Sequence, residues 1–190
     1  MTKRIGPLII LSGPSGSGKS TVIDRVLQEA GVPLRVSVSA TTRPPRPGER
    51  DGVHYHFWAR EKFLQQVQAG AFLEWAEVHG NYYGTLRDEV EPYRARGTGV
   101  ILDIDVQGAA QVRRLCPDNV SIFLRAPSLE VLEQRLRARG TEDAASLARR
   151  LANARREMER IGEYNYVVVN EDLGEAVAQL RELLARQFRE

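Results

Sequence analysis

The chain has 190 residues, 42% of them hydrophobic and 27% charged, with a formal net charge of +2, which suits a globular protein and argues against a disordered chain or an extended nucleic-acid-binding surface. Its longest apolar runs, Leu8 to Leu11, Val100 to Leu102 and Val167 to Val169, are strand-sized and fall far short of the roughly 18 residues of a membrane span, so no membrane association is expected. Met1-Thr2-Lys3-Arg4 leads into a run too short for a secretory leader, and the single cysteine, Cys116, permits no internal disulfide, so a cytoplasmic location is expected.

In chain order, Leu8 to Ser12 reads as a buried strand, followed by a Gly-rich turn and a helix from about Lys19 to Ala30 with Val22, Ile23, Val26 and Leu27 on one face. Val36 to Ser39 is a second strand candidate, residues 41–52 a Pro/Gly-rich loop, and Tyr55 to Trp58 extended. A helix over Lys62 to Ala69 precedes a hairpin of Phe72 to Val78 and Tyr82 to Thr85. A short helix is expected around Leu86 to Ala95, its limits clouded by Pro92. Val100 to Asp103 and Val120 to Leu124 are strands separated by a helix at Ala109 to Leu115. Helices at Leu129 to Arg139 and Ala144 to Ile161, a strand at Val167 to Asn170 and an amphipathic helix from Leu173 complete the chain.

This alternation predicts an α/β fold, a parallel sheet with helices on both faces. The block over about 39–90 breaks the rhythm and reads as a small mixed lobe inserted into the core. The expected organisation is one domain over 1–190, with a core at about 1–38, 91–125 and 163–190, and a helical lid at about 126–162.

Gly13-Pro14-Ser15-Gly16-Ser17-Gly18-Lys19-Ser20 fits the phosphate-binding loop pattern G-x-x-x-x-G-K-[ST] between a strand and a helix. Glycines let backbone N–H groups turn toward a phosphate at the positive end of a helix dipole. Of 27 basic residues only Lys3, Lys19 and Lys62 are lysines. Lysine at position 19, in a chain that otherwise chooses arginine, fits a need for a compact point charge on the β- and γ-phosphates. The Ser20 hydroxyl suits Mg²⁺, with Asp103, at a strand end, holding the ion through water, although an Asp there also suits a turn or cap. His54, His56 and His79 lack partners at ligand spacing and read as structural or surface residues.

The loop alone does not choose a reaction. Arg43 and Arg46 lie in a Pro-stiffened loop with Tyr55 and Tyr83 in flanking segments, the donor set expected around a phosphate monoester. Glu49 and Asp51 are their alternative partners in local salt bridges.

The phosphate loop, Ser37 to Phe57, Phe72-Leu73-Glu74, Asn81-Tyr82-Tyr83-Gly84-Thr85, Asp103-Ile104-Asp105 and Arg135 to Gly140 together resemble guanylate kinases, in order and spacing, over nearly the whole chain. The resemblance implies an ATP-dependent, Mg²⁺-requiring transfer to GMP, with dGMP left open as a second acceptor. It implies that Gly13 to Ser20, Thr21 and Asn170 bind ATP, with Asn170 on the adenine side. Arg43, Arg46, Tyr55 and Tyr83 are implied to hold the GMP phosphate, and Ser39, Glu74 and Thr85 to read guanine, with Asp105 nearby. Arg135, Arg139 and Arg150 match arginines that a closing lid brings over the transferring phosphates, though without the resemblance they would read as a solvated helix pair. An inactive phosphopeptide-binding module of the same fold, and a kinase for another small phosphate ester, remain the alternatives.

Overall fold

In a computed structural model, residues 4–78, 80–138 and 144–189 are described. The strands are β1 (Leu8–Ser12), β2 (Leu34–Val36), β3 (Ala40–Thr41), β4 (His56–Phe57), β5 (Phe72–Val78), β6 (Asn81–Leu86), β7 (Gly99–Asp103), β8 (Val120–Arg125) and β9 (Tyr166–Val169). The helices are α1 (Lys19–Glu29), α2 (Arg60–Gln68), α3 (Glu91–Arg94), α4 (Val106–Leu115), α5 (Leu129–Ala138), α6 (Ala144–Glu159) and α7 (Leu173–Gln187).

Five strands form a parallel sheet in the order β2-β7-β1-β8-β9. The twofold alternation of a strand splits β1 between two cores. Ile9 and Leu11 face α1 and α7, packing on Val22, Val26, Val177 and Leu180, while Leu8 and Ile10 face Val106, Ala109 and Val112 of α4. Covering helices on both faces explain why β1 is apolar at every position but its last.

The second sheet, β4-β3-β6-β5, is mixed and has its own aromatic cluster. Phe63 of α2 stacks on Phe72 at 4.5 Å and on Tyr82 at 5.4 Å. A fourth cluster joins Leu132 and Leu136 of α5 to Ala154 of α6, with Leu147 and Leu151 against it.

Three local differences from the expected elements have physical causes. The second strand ends at Val36, where the Ser37 N–H makes the last bond of the ladder, to the Ile101 carbonyl, which the Ser37 hydroxyl also reaches, and pairing resumes in the other sheet at Ala40. The expected helix around Leu86 to Ala95 is a 3-10 turn over Arg87–Glu89 followed by α3, which starts with Pro92 in its first turn, where the missing N–H costs nothing. Helix α4 begins three residues earlier than expected, since the Asp105 carboxylate caps it by accepting the Gly108 N–H at 2.8 Å. Among the described residues no helix is long and apolar enough to cross a membrane.

Candidate active site

The loop from Gly13 to Ser20 joins β1 to α1, along the C-terminal edge of the parallel sheet where β7 also delivers Asp103. Gly18 caps α1 with φ 92°, and a β-carbon there would lie 2.3 Å from Asn170 Nδ2. Only glycine accepts both demands. The Asn170 side chain donates to the Ser17 carbonyl at 2.8 Å and is buried. Asn170, expected on the adenine side of ATP, thus braces the loop with its side-chain N–H, and its backbone carbonyl accepts from Arg135 Nη2 at 2.9 Å.

Lys19 Nζ donates to the Gly13 carbonyl at 2.5 Å and stands 4.0 Å from Asp103 Oδ1. The Asp103 side chain keeps 36% of its surface accessible, on the wall of a cleft crowded by protein atoms. Burial raises its pKa, and the Lys19 ammonium pulls it back.

One cleft of about 610 Å³ opens beside the loop. Its walls bring together Gly13, Ser15 and Lys19 from the loop side, Ser39, Arg43, Arg46, Tyr55, Glu74 and Tyr83 from the second sheet and its loops, and Asp103, Asp105 and Arg150. Residues more than a hundred positions apart in sequence therefore share one space. Arg139 lies outside the described residues. Arg135 and Asn170 are not on the cleft wall, and Thr85 stands just behind it.

Glu74 shows how the site is built. A register shift between Phe72 and Glu74 bulges β5 against β6, so that Glu74 pairs with Thr85 across the ladder. Thr85 Oγ1 donates to Glu74 Oε1 at 2.7 Å, and Glu74 is only 5% exposed. Burial pushes its carboxyl from the ordinary 4.5 up to about 7, with the Thr85 bond opposing and Asp105 adding to the rise. Its other oxygen lies where a β-carbon at Gly108 would come within 2.5 Å. Gly108→Ala should therefore raise the KM of the acceptor nucleotide by up to about 10²-fold through a displaced Glu74, with the KM of ATP unchanged, in steady-state kinetics. Alanine would otherwise favour the helix, so a matching loss of thermal stability would point to damage beyond Glu74.

The phosphate-facing set is also organised. Tyr55 and Tyr83 meet edge-on at 6.1 Å, and burial pushes the Tyr55 hydroxyl up to about 12, so it stays a neutral donor. Arg43 forms a two-pronged ion pair with Glu49, at 2.9 Å on each prong. The salt bridge that remained an alternative for Arg43 thus exists, whereas Asp51 accepts the Phe57 N–H instead. Arg46 is exposed at the rim.

Helix α6 supplies wall residues that motif reasoning overlooked: Ser146, Arg149, Asn153 and Glu157, beside the expected Arg150. Their spacing marks one helical face, next to the apolar seam of Leu147, Leu151, Ala154 and Met158. That seam was a usable signal, since it settles which side of a heavily charged helix must turn inward. Arg150 Nη1 donates to Ser15 Oγ at 2.8 Å, tying this helix to the phosphate loop. Burial raises the pKa of Glu157, with Lys19 opposing.

Among the described residues no group of three or more acidic, His or Cys side chains forms a ready-made metal cage. One hydroxyl and one carboxylate beside a phosphate loop suit Mg²⁺, which binds through few protein ligands and keeps water and substrate oxygens in its shell. Ser20, at the start of α1, and Asp103, at the end of β7, are such a pair.

A family model described as guanylate kinase matches residues 6–187. The chain is 52% identical over 179 residues to the guanylate kinase of Symbiobacterium thermophilum, covering 94% of this chain and 84% of that protein. It is 49% identical to the guanylate kinase of a Synechococcus strain, with 94% and 82% covered. The crystal structure of guanylate kinase from Anaplasma phagocytophilum superposes with a TM-score of 0.81 at 35% identity, over 100% of this chain and 89% of that one. A gluconokinase from Sinorhizobium meliloti, 20% identical with a TM-score of 0.52, shares the fold alone.

Proposed function

The chain belongs to the guanylate kinase family, and from that premise we propose that it transfers the γ-phosphate of ATP to GMP, giving ADP and GDP, by direct in-line attack. The observation that carries the reading is the buried Glu74–Thr85 pair, which shares one cleft with the Lys19 phosphate loop. Guanine offers N1–H and the N2 amino group side by side, which one carboxylate can accept together, and its O6 can accept from the Ser39 hydroxyl. Adenine has no N1–H, so the Glu74 carboxylate, bonded only by Thr85, would face a ring-nitrogen acceptor instead of a donor, a strong ground for rejection.

The acceptor phosphate is held by Arg43, Arg46, Tyr55 and Tyr83, and Asp105 serves the acceptor side by capping α4 against Glu74. The phosphate loop, with Thr21 following it, cradles the ATP phosphates, and Asn170 supports the nucleotide site by holding Ser17 in place. A phosphate monoester is largely dianionic near neutral pH, its second pKa being about 6. Its oxygen therefore attacks the γ-phosphorus without surrendering a proton, the bond to the β–γ bridging oxygen breaks, and no general base is needed. Lys19, Arg150 and the remaining lid arginines Arg135 and Arg139 stabilise charge on the transferring group. Mg²⁺, held by Ser20 and through water by Asp103, would supply further neutralisation of the ATP phosphates.

The same reading divides the single domain into core, acceptor lobe and lid, whose closure excludes water. The unpaired Cys116 fits a reducing, cytoplasmic compartment.

The test is product formation from ATP and Mg²⁺ with GMP, dGMP, AMP, CMP and UMP in parallel, resolved by chromatography. GDP from GMP and nothing from AMP, CMP or UMP is expected. Transfer to AMP at a comparable rate would overturn the role of Glu74. No transfer despite nucleotide binding would overturn the catalytic reading itself.

A further inference from the structure

Glu49 sits outside the cleft wall, yet it is bonded more tightly than a loop carboxylate needs to be. Its side chain is 18% exposed and that of its partner Arg43 is 13% exposed, unlike the loosely solvated pairs common on surfaces. Glu49 Oε1 accepts from Arg43 Nη2 and Oε2 from Arg43 Nη1, each at 2.9 Å. Oε2 also accepts the Arg46 backbone N–H at 2.6 Å, and the Glu49 N–H returns to the Arg46 carbonyl at 3.0 Å. One carboxylate thus ties the side chain of the first loop arginine to the backbone of the second.

The hydrogen positions of the guanidinium show what this leaves available. Arginine has five N–H donors in a fixed plane. Glu49 takes one from each terminal nitrogen, and the Pro44 carbonyl takes the other Nη1 hydrogen at 2.6 Å. The Nε–H and the second Nη2–H point the same way along the opposite flank and make a second two-pronged edge that neither Glu49 nor Pro44 takes, while the Tyr83 side chain also bonds to this guanidinium. Tyr55 and Phe57 stand 5.5 and 5.8 Å from the guanidinium carbon and limit its rotation.

We propose that Glu49 is a positioning residue that clamps one edge of Arg43 so that the other edge, Nε–H with Nη2–H, is presented ready-made to the phosphate of the acceptor nucleotide. This rests on the reading of Arg43 as an acceptor-phosphate ligand. A free arginine on a Pro/Gly-rich loop would lose rotamer freedom on each binding event, whereas a clamped one has lost it already. The Arg43 guanidinium holds the Glu49 carboxyl below its usual range, so the clamp stays charged wherever the acceptor does. The rival arrangement is a placeholder, in which Glu49 occupies the phosphate's own position and must be displaced. The two differ in sign, because removing a clamp weakens GMP binding and removing a placeholder strengthens it.

The experiment uses the full chain with Glu49→Gln, Glu49→Ala, Arg43→Ala and the Glu49→Ala/Arg43→Ala double variant. GMP kinetics at saturating ATP, calorimetric binding of GMP and of guanosine, and thermal melts are compared. The KM for GMP should rise about tenfold in Glu49→Ala and less in Glu49→Gln, a loss expected for one charge-assisted pair. Guanosine, which lacks the phosphate, should bind all variants alike. In the Arg43→Ala background Glu49→Ala should cost clearly less than it does alone, since the clamp acts chiefly through Arg43 and what remains is its bond to the Arg46 N–H. A fall or no change in the GMP KM of Glu49→Ala, while Arg43→Ala still raises it, overturns the clamp alone. An equal loss of guanosine affinity overturns it in favour of general damage to the lobe. If the unaltered protein forms no GDP, or Arg43→Ala leaves the GMP KM unmoved, the failure lies in the functional reading beneath it.

Discussion

Lys19→Ala should lower kcat by at least about 10³-fold, the scale of removing a charge aimed at a transferring phosphoryl group, while calorimetric GMP affinity stays within about twofold, a change worth well under 1 kcal/mol. The separation follows from the walls of the cleft. Lys19 rises from the phosphate loop, bonded to the Gly13 carbonyl, whereas Glu74, Arg43 and Tyr83 stand on the second sheet and its loops. Among the described residues the partners of Lys19 are the Gly13 carbonyl and Asp103, neither of which belongs to the proposed acceptor site. The same substitution strips Asp103 of the Lys19 ammonium that holds its carboxyl down, so the Asp103 pKa should climb further. Lys19→Arg should fail as a rescue, because a planar fork cannot follow a phosphoryl group through the space that a compact ammonium uses. Single-turnover phosphate transfer measures the chemical step directly. A rate within tenfold of the unaltered protein would remove Lys19 from the mechanism.

The placement of Gly13 to Ser20 between β1 and α1 was legible in the sequence because the motif is local. Eight consecutive residues make the whole turn, and their spacing carries the expectation of an anion cradle. Glu74 is a different case. Its identity could be read from a resemblance, but its direction depends on a bulge of β5 against β6, and its altered acidity depends on burial contributed by α4 and β6. Neither is written in residues 72–78. For Asn170 the resemblance implied a place on the adenine side of ATP, and what no motif announced is a bracing contact: its side chain lies against Gly18, where a β-carbon would collide with it, and donates to the Ser17 carbonyl. Helix α6 had the needed information in its period, yet the abundance of arginine concealed it. Only when Leu147, Leu151 and Ala154 are seen to pack does the offset polar face turn to the cleft. The Arg43–Glu49 pair was a stated alternative, and reading it as a rival to phosphate binding was too narrow, since a guanidinium has edges for both.

Glu74→Gln carries the second large effect, and it should be visible in three ways. The amide keeps one acceptor but replaces the other with a donor, so it cannot take both guanine hydrogens; kcat/KM for GMP should fall about 10³-fold with AMP little changed, within the range for unpaired buried groups. The second signature is pH dependence. With its carboxyl pushed up to about 7 in the unliganded protein, Glu74 is mostly protonated at pH 6 and mostly ionised at pH 8, and only the ionised form accepts both donors. Guanosine affinity should therefore be about tenfold weaker at pH 6 than at pH 8, in proportion to the competent fraction. Guanosine is the correct probe, because the GMP phosphate itself titrates near pH 6. Glu74→Gln should flatten the profile. The third signature is stability, with the opposite sign. A carboxyl whose pKa is higher in the folded chain than in the unfolded one binds more protons when folded, so stability falls as pH rises from 4.5 through about 7. Above that window the buried charge costs about 3 kcal/mol, from 1.36 kcal/mol per pKa unit. Glu74→Gln should accordingly melt higher than the unaltered protein at pH 8 and close to it at pH 4.5. A base-reading carboxylate held in an unfavourable state until guanine arrives would yield both results together, a weaker enzyme and a sturdier fold. Loss of GMP selectivity with no gain in stability at pH 8 would mean that Glu74 is ionised at little cost before the substrate binds.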